Sequence, residues 1–264
     1  MLPLRKFHVR TRADKPYIMT KVIQNEQKGV SERILKYIPF LLAVVLWCIL
    51  TFRYQFFLKK VEDLSVFLFD KQFFLESFRI PGGILGLAGS FLAQFLHLPW
   101  LGSLIWVLSL LSAYYLTARV FRISPSFRPI ALIPVALLVI GNMSIGYGVF
   151  IMRDQEHFFT PVLGYMASLL PLAVISRQKN LWSKILFIAG WIIAGFAVLG
   201  AYAFTGALAA ACAELVSKDS IRRERIAFFA STLALTVFVP LIIYSFYTTY
   251  RLVSLDRKSG SAGM

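Results

Sequence analysis

Five uncharged apolar stretches, Tyr37–Phe52, Ile80–Ala118, Pro129–Met152, Phe158–Ser176 and Ile185–Ala213, and a sixth at Ile226–Tyr250, divide this chain. Nearly all of its charge lies between them. A bilayer core about 30 Å thick takes roughly 20 apolar residues per spanning helix, and no water-soluble fold of this length hides so many such runs. With 58% hydrophobic and only 16% charged residues, the chain has too little polar surface for a soluble domain. The expected fold class is all-α, a polytopic transmembrane helix bundle of about seven crossings plus outer interfacial helices.

The net charge of +15 raises the question of nucleic acid, but the basic residues form no stripe with interleaved aromatics. They sit at the ends of apolar stretches, where lysine and arginine fix membrane orientation, so the partner expected is the lipid bilayer and no nucleic acid. Basic clusters precede the first span (Lys21, Lys28, Arg33, Lys36) and recur at Arg119, Arg122 and Arg128, at Arg177, Lys179 and Lys184, and at Lys218, Arg222, Arg223 and Arg225. All are expected on the cytoplasmic side of a bacterial inner membrane, with the N-terminus cytoplasmic. The connections between them hold acids, Glu62, Asp63, Asp70 and Glu76 in one and Asp154 and Glu156 in another, and are expected outside.

This parity decides two ambiguous stretches. In Ile80–Ala118, the part Gly82–Leu96 would extend only about 22 Å as a helix before Pro99 interrupts it. Two crossings there would put Arg119, Arg122 and Arg128 outside, so Gly82–Leu96 is expected as a re-entrant or outer-leaflet helix and Trp100–Ala118 as the second span. Ile185–Ala213 would be about 43 Å as one helix, and both its flanks are basic. Two short crossings with a turn near Gly200–Tyr202 fit that charge pattern, the alternative being a single tilted helix and six crossings.

Residues 1–36 read as a basic cytoplasmic segment, unstructured at its start, in which Met19 is an alternative translation start; residues 37–250 read as the transmembrane domain and 251–264 as an unstructured tail. Cys48 and Cys212 lie inside apolar runs and read as packed thiols. Gly206, Ala209, Ala210 and Ala213 fall on one helical face of small residues, suited to close helix approach. Glu214, beside Ser217 and Lys218, reads as an acid snorkelling to the interface.

The candidate chemistry lies in the outward connections. Lys59–Phe78 mixes phenylalanines with acids and lysines, as expected of one helix or a pair of helices in the headgroup plane; in one continuous helix Asp63 and Asp70 would share a face. Arg153-Asp154-Gln155-Glu156-His157 brings two carboxylates and an imidazole close together. Asp154, Glu156 and His157 are candidate ligands for a divalent cation, and the two carboxylates are a candidate acid/base pair.

The run Phe74-Leu75-Glu76 through Ile80-Pro81-Gly82-Gly83, then Phe91-Leu92-Ala93-Gln94-Phe95 and Pro99-Trp100-Leu101-Gly102, resembles an uncharacterised family of bacterial multi-spanning proteins known only as a domain of unknown function. Ile145-Gly146-Tyr147, Phe158-Phe159, Leu199-Gly200-Ala201-Tyr202 and Ala213-Glu214-Leu215 are similar to it too. The resemblance runs from about Ile38 to Tyr250 and implies no established activity. It also implies a longer sequence beyond the last span, so the Gly/Ser-rich ending reads as that of a truncated member.

A more distant similarity, in arrangement only, is to polytopic glycosyltransferases that use lipid-linked sugars. It implies that Asp63 or Asp70, with Asp154 and Glu156, are the catalytic acids, and that Lys71 or Arg79 stabilises a departing lipid phosphate. It also implies a lipid-linked glycan as partner, with His97 and His157 assisting proton transfer. The remaining classes are a scaffold or assembly component of the cell envelope and a transporter subunit. Few deep polar side chains interrupt the spans beyond Asn142, Ser144 and Thr205, which argues against ion-coupled transport. The sequence names no cofactor.

Overall fold

The computed structural model describes residues 37–65, 67–152, 158–216 and 221–260, with side chains described at these positions except 144–152 and 244–260. The basic N-terminal segment therefore lies outside the described residues. So does the loop holding Asp154, Glu156 and His157. Among the described residues the chain is helical and contains no strand.

Helix α1 (Tyr37–Arg53) bends by 80° into α2 (Gln55–Leu64). The bend follows a change of solvent. Helix α1 is apolar around its circumference, whereas α2 carries Lys59, Lys60, Glu62 and Asp63 on one side and buries Leu58 and Val61 on the other. After a non-helical link comes α3 (Lys71–Arg79), which buries none of its residues. The sequence's interfacial segment is thus a pair of helices. Asp63 and Asp70 do not share one helical face, because Ser65 ends α2 in an extended conformation and Asp70 is the extended residue before α3.

Pro81 and Gly82 then turn the chain into α4 (Gly83–Ala93), continued by a 3-10 turn at Gln94–His97. Leu98 is extended, as residues before proline prefer, and Pro99 opens α5 (Pro99–Val120) where its missing N–H costs nothing. At 22 residues, or about 33 Å, α5 is long enough to span a bilayer core, while the 11 residues of α4 reach only about 17 Å. That division is the one expected from charge parity.

A 3-10 segment, Pro125–Ala131, leads into α6 (Leu132–Met152). Helices α7 (Thr160–Ser168) and α8 (Leu170–Ile175) break at Leu169, where Pro171 deprives the ladder of a donor. Helices α9 (Leu181–Leu199) and α10 (Ala201–Val216) are separate and packed together; Gly200, at φ +60°, makes the turn between them. A single tilted helix through Ile185–Ala213 does not form. Helix α11 (Arg222–Gly260) continues through residues 251–260, which composition alone assigned to a tail; their Arg-Leu-Val-Ser-Leu run carries no helix breaker before Gly260.

Among the described residues four helices are long and apolar enough to cross a membrane, Pro99–Val120, Pro125–Met143, Leu181–Leu199 and Arg222–Ile243; the bent α1–α2 pair makes five if counted as one span. Their outward residues, including Ile133, Leu137, Ile140, Leu186, Ile193 and Leu241, are large, apolar and exposed. Such a surface suits lipid rather than water.

The interior has two apolar centres. One gathers Leu50, Leu58, Leu96, Trp106, Phe158 and Val162 from α1, α2, the Gln94–His97 turn, α5, the residues leading into α7, and α7 itself. The other gathers Leu172, Ile188, Ile192, Ala207, Ala211 and Phe228 from α8 to α11. Helix α10 joins them, packing on α7 and α8 on one side and α9 and α11 on the other. Its small-residue face is Ala203, Gly206, Ala207, Ala210 and Ala211; Ala209 and Ala213 are exposed, so the buried stripe is rotated by about one position from the one expected.

Candidate functional site

The polar groups of the interior are mostly spent in holding helices together. Thr51 and Ser103 hydroxyls share a 2.9 Å hydrogen bond between α1 and α5. Thr117 and Tyr165 do the same at 2.8 Å between α5 and α7. The carbonyl of Phe158 accepts twice, from Trp106 Nε1 at 3.1 Å and from Asn142 Nδ2 at 2.7 Å, tying α5 and α6 to the start of α7. Thr205, exposed, donates back to the Tyr202 carbonyl. Of the deep polar residues singled out in the sequence, Asn142 is a strut and Ser144 lies outside the described side chains.

Two glycines form another tie. Gly82, in the left-handed region at φ +81°, donates its N–H to the Ala197 carbonyl at 3.1 Å. A Cβ on Gly82 would come within 3.1 Å of Gly200 Cα, and one on Gly200 within 3.2 Å of Gly82 Cα. The Pro-Gly-Gly turn and the Leu-Gly-Ala-Tyr turn, distant in sequence, are therefore one contact.

At the end of the bundle where α2, α3 and the Gln94–His97 turn lie, Asp63 and Asp70 are both exposed. His97 Nδ1 is 3.8 Å from Glu62 Oε2 in a solvent-facing arrangement, and Gln94 Nε2 donates to the Ser65 carbonyl. Phe67, Phe73, Phe74, Phe91 and Phe95 form a connected set of edge-to-face rings beside these acids. Lys71 and Arg79 are exposed at the two ends of α3. Among the described residues no three His, Cys, Asp or Glu side chains gather as a metal site.

The most concentrated charge lies at the other end of α5. Lys184 Nζ is 2.6 Å from Glu214 Oε1, with the two side chains only 7% and 10% exposed. The α9–α10 hairpin produces this pair, because the residues lie at nearly equal distances along the chain on either side of Gly200. Glu214 therefore points inward; it is not the snorkelling acid expected from its neighbours, since the ammonium opposite offsets its desolvation. Sequence reading took Lys184 as an orientation signal and missed the partnership. The hairpin turn, once placed, was the available clue.

The pair forms part of the wall of a cavity of about 440 Å³. Arg122, Arg177 and Lys179 supply further cations, Leu172, Ile175, Ala210 and Ala213 an apolar side, and Gln178 an amide. A small void of about 10 Å³, room for one water, borders the same pair and adds Glu224. Arg225 of α11 donates to the Leu215 carbonyl, covering an unpaired helix end. Two of the basic clusters that the sequence reading expects on one side of the membrane thus line one cavity, and Arg225 of a third bonds the carbonyl next to Glu214. A separate groove of about 360 Å³ between α1, α5 and α6 is lined by aliphatic side chains such as Leu46, Leu110 and Val139.

Helical and without strand among its described residues, with an apolar outer surface, four helices long and apolar enough to cross a membrane, and interior hydroxyls and amides that bond between helices, the chain has the make-up of a multi-spanning helical membrane protein. The chain belongs to the Family of unknown function (DUF6057), which it matches over residues 31–260. No curated protein and no solved structure matches it.

Proposed function

We propose that this protein is a multi-pass component of the bacterial cytoplasmic membrane, with about seven crossings and a cytoplasmic N-terminus, that serves as a scaffold or assembly component of the cell envelope. The observation that carries the reading is the internal bonding of its deep polar groups. Thr51 with Ser103, Thr117 with Tyr165, and Trp106 and Asn142 with the Phe158 carbonyl fasten helices to one another. Groups so bonded favour a fixed framework over a transport path. Orientation is supported by the gathering of Arg122, Arg177, Lys179 and Lys184 at one cavity, roughly a 33 Å helix length from the Glu62–His97 end.

Thiol labelling of intact cells tests the topology. In a Cys48→Ala, Cys212→Ala background, a cysteine at Asp63 labels from outside and one at Gln178 does not. External labelling at Gln178 would reverse or remove the proposed arrangement.

The second reading is transfer of a sugar from a lipid-linked donor, with Asp63, Asp70, Asp154 and Glu156 as the acids. Its support is the phenylalanine cluster beside α3, an apolar surface suited to a lipid chain next to exposed carboxylates. Asp63→Asn and Asp154→Asn, at matched membrane abundance, discriminate the two. Reduced envelope glycan favours the enzyme; unchanged glycan leaves the scaffold.

A further inference from the structure

The cavity at the basic end holds more positive charge than its own carboxylate answers. Among the described residues Arg122, Arg177, Lys179 and Lys184 face it, against Glu214, with Glu224 beside Lys179 and Lys184 at the adjoining small void, so that four cations stand against two carboxylates. Lys184 is committed to Glu214, a bond that uses one of an ammonium's three donors. The other three cations come from two separate connections, Arg122 from the turn after α5 and Arg177 and Lys179 from the link between α8 and α9. All three are exposed to solvent, so water and salt carry part of their mutual repulsion, and an anion seated between them would remove the rest.

Two local features sharpen this. Arg122 has φ +50°, the one positive φ at a residue other than glycine among the described residues. It closes α5 in a left-handed cap, with Ile123 N–H bonded to the Ala118 carbonyl, a position where glycine is the unstrained choice. An arginine there gives up backbone ease and places a guanidinium on the cavity. Gln178 also lines the cavity, and its Oε1, shut off from solvent, has no hydrogen-bond partner among the described residues; a turn of the amide about its terminal torsion would bring that acceptor onto the cavity. A buried acceptor in that state calls for a donor.

Cations and an amide that can turn an acceptor inward, set against the apolar side formed by Leu172, Ile175 and Ala210, select an amphiphile's polar head rather than a bare ion. We propose that this cavity binds a phosphate ester carrying a nearby hydroxyl group, with Arg122, Arg177 and Lys179 on the phosphate and Gln178 Oε1 accepting from the hydroxyl. Two sources offer that chemistry: a phospholipid headgroup such as glycerol phosphate, its chains lying along exposed Leu170 and Val174, and a soluble phosphate ester. The inference is independent of whether the protein is a scaffold or an enzyme, because it concerns the basic end alone.

The full chain, purified in detergent, is titrated with phosphatidylglycerol, with phosphatidylcholine and with glycerol 1-phosphate, and binding is read by native mass spectrometry. Wild type retains phosphatidylglycerol about tenfold or more over phosphatidylcholine, and Arg122→Gly and Arg177→Gln each weaken that binding about tenfold. Because glycine accepts the positive φ, Arg122→Gly keeps or raises the lipid-free melting temperature while losing affinity, a combination that a purely structural arginine does not give. Displacement of the lipid by glycerol 1-phosphate only in large excess assigns the lipid source; tight binding of glycerol 1-phosphate by itself, weakened by the same variants, assigns the soluble one. Equal retention of both lipids together with no variant-sensitive binding of glycerol 1-phosphate, or equal binding by wild type and both variants, overturns the proposal.

Discussion

Lys184 and Glu214 show how an ion pair inside an apolar bundle depends on both members. Each is buried, so removing one takes from the other its close counter-ion, at a cost of up to about 3–5 kcal/mol, whereas replacing both with apolar residues of similar size is close to neutral. Lys184→Met and Glu214→Met are therefore each expected to lower the melting temperature in detergent sharply, and the double variant to recover most of the loss. Additive losses in the double variant would mean that the two side chains stabilise the fold independently. The glycines behave differently. Gly82→Ala adds a Cβ at positive φ against the Gly200 backbone, so a loss of at least ~1–2 kcal/mol is expected from the left-handed conformation alone. A thermal midpoint equal to wild type would show that this contact yields without cost. Neither feature was legible residue by residue. Lysine before a span reads as an orientation signal, and a Pro-Gly-Gly turn does not announce what it touches.

At the scale of elements, charge and helix-breaking residues carried most of the information. The short α4, the span α5 behind Pro99 and the turn at Gly200 all follow from where proline, glycine and basic residues stand. Amphipathicity foretold helix in Lys59–Phe78 but not where it breaks, because an apolar-polar mixture is the same for one helix or two. The rotation of the α10 stripe was hidden for a similar reason: alanines stand on every side of that helix, so composition marks no single face. The junction of α5, α6 and α7 yields its own prediction. With two donors on the Phe158 carbonyl, Trp106→Phe or Asn142→Leu leaves it one partner, at about 1 kcal/mol each, while the double variant orphans a buried acceptor. The double loss is expected to exceed the sum of the single losses by roughly 1 kcal/mol or more. Strict additivity in denaturant titrations would mean that the carbonyl is satisfied elsewhere.

Across the whole molecule, the apolar runs announced the membrane class, and the matched family agrees with the resemblance carried by the Pro-Gly-Gly and Pro-Trp-Leu-Gly turns. What the chain does was not legible, since candidate acids in exposed connections look alike whether they catalyse or merely face water. The architecture is interlocked rather than serial: Gly164 of α7 meets Tyr202, and Gly206 of α10 meets Ser168 and Pro171, so α10 closes onto elements made much earlier. Two co-expressed pieces, residues 1–178 and 179–264, are expected to copurify, and Gly206→Leu to separate them by driving a side chain into α7 and α8. Copurification unaffected by that change would place the holding contacts elsewhere.

The contact between Gly82 and Gly200 also imposes an order of events during synthesis. The ribosome delivers Gly200 about 118 residues after Gly82, a delay of roughly 6–24 s at 5–20 residues per second. For that interval the Pro81–Gly82 turn has no landing place, although its N–H and the bare face of α4 already sit at the membrane. We expect a nascent chain arrested short of Leu199 to leave a cysteine introduced at Leu85, buried in the finished fold where α4 packs on α9, open to thiol reagents, and one arrested beyond Ile243 to shield it. Equal labelling of the two would mean that the turn finds shelter before its partner exists.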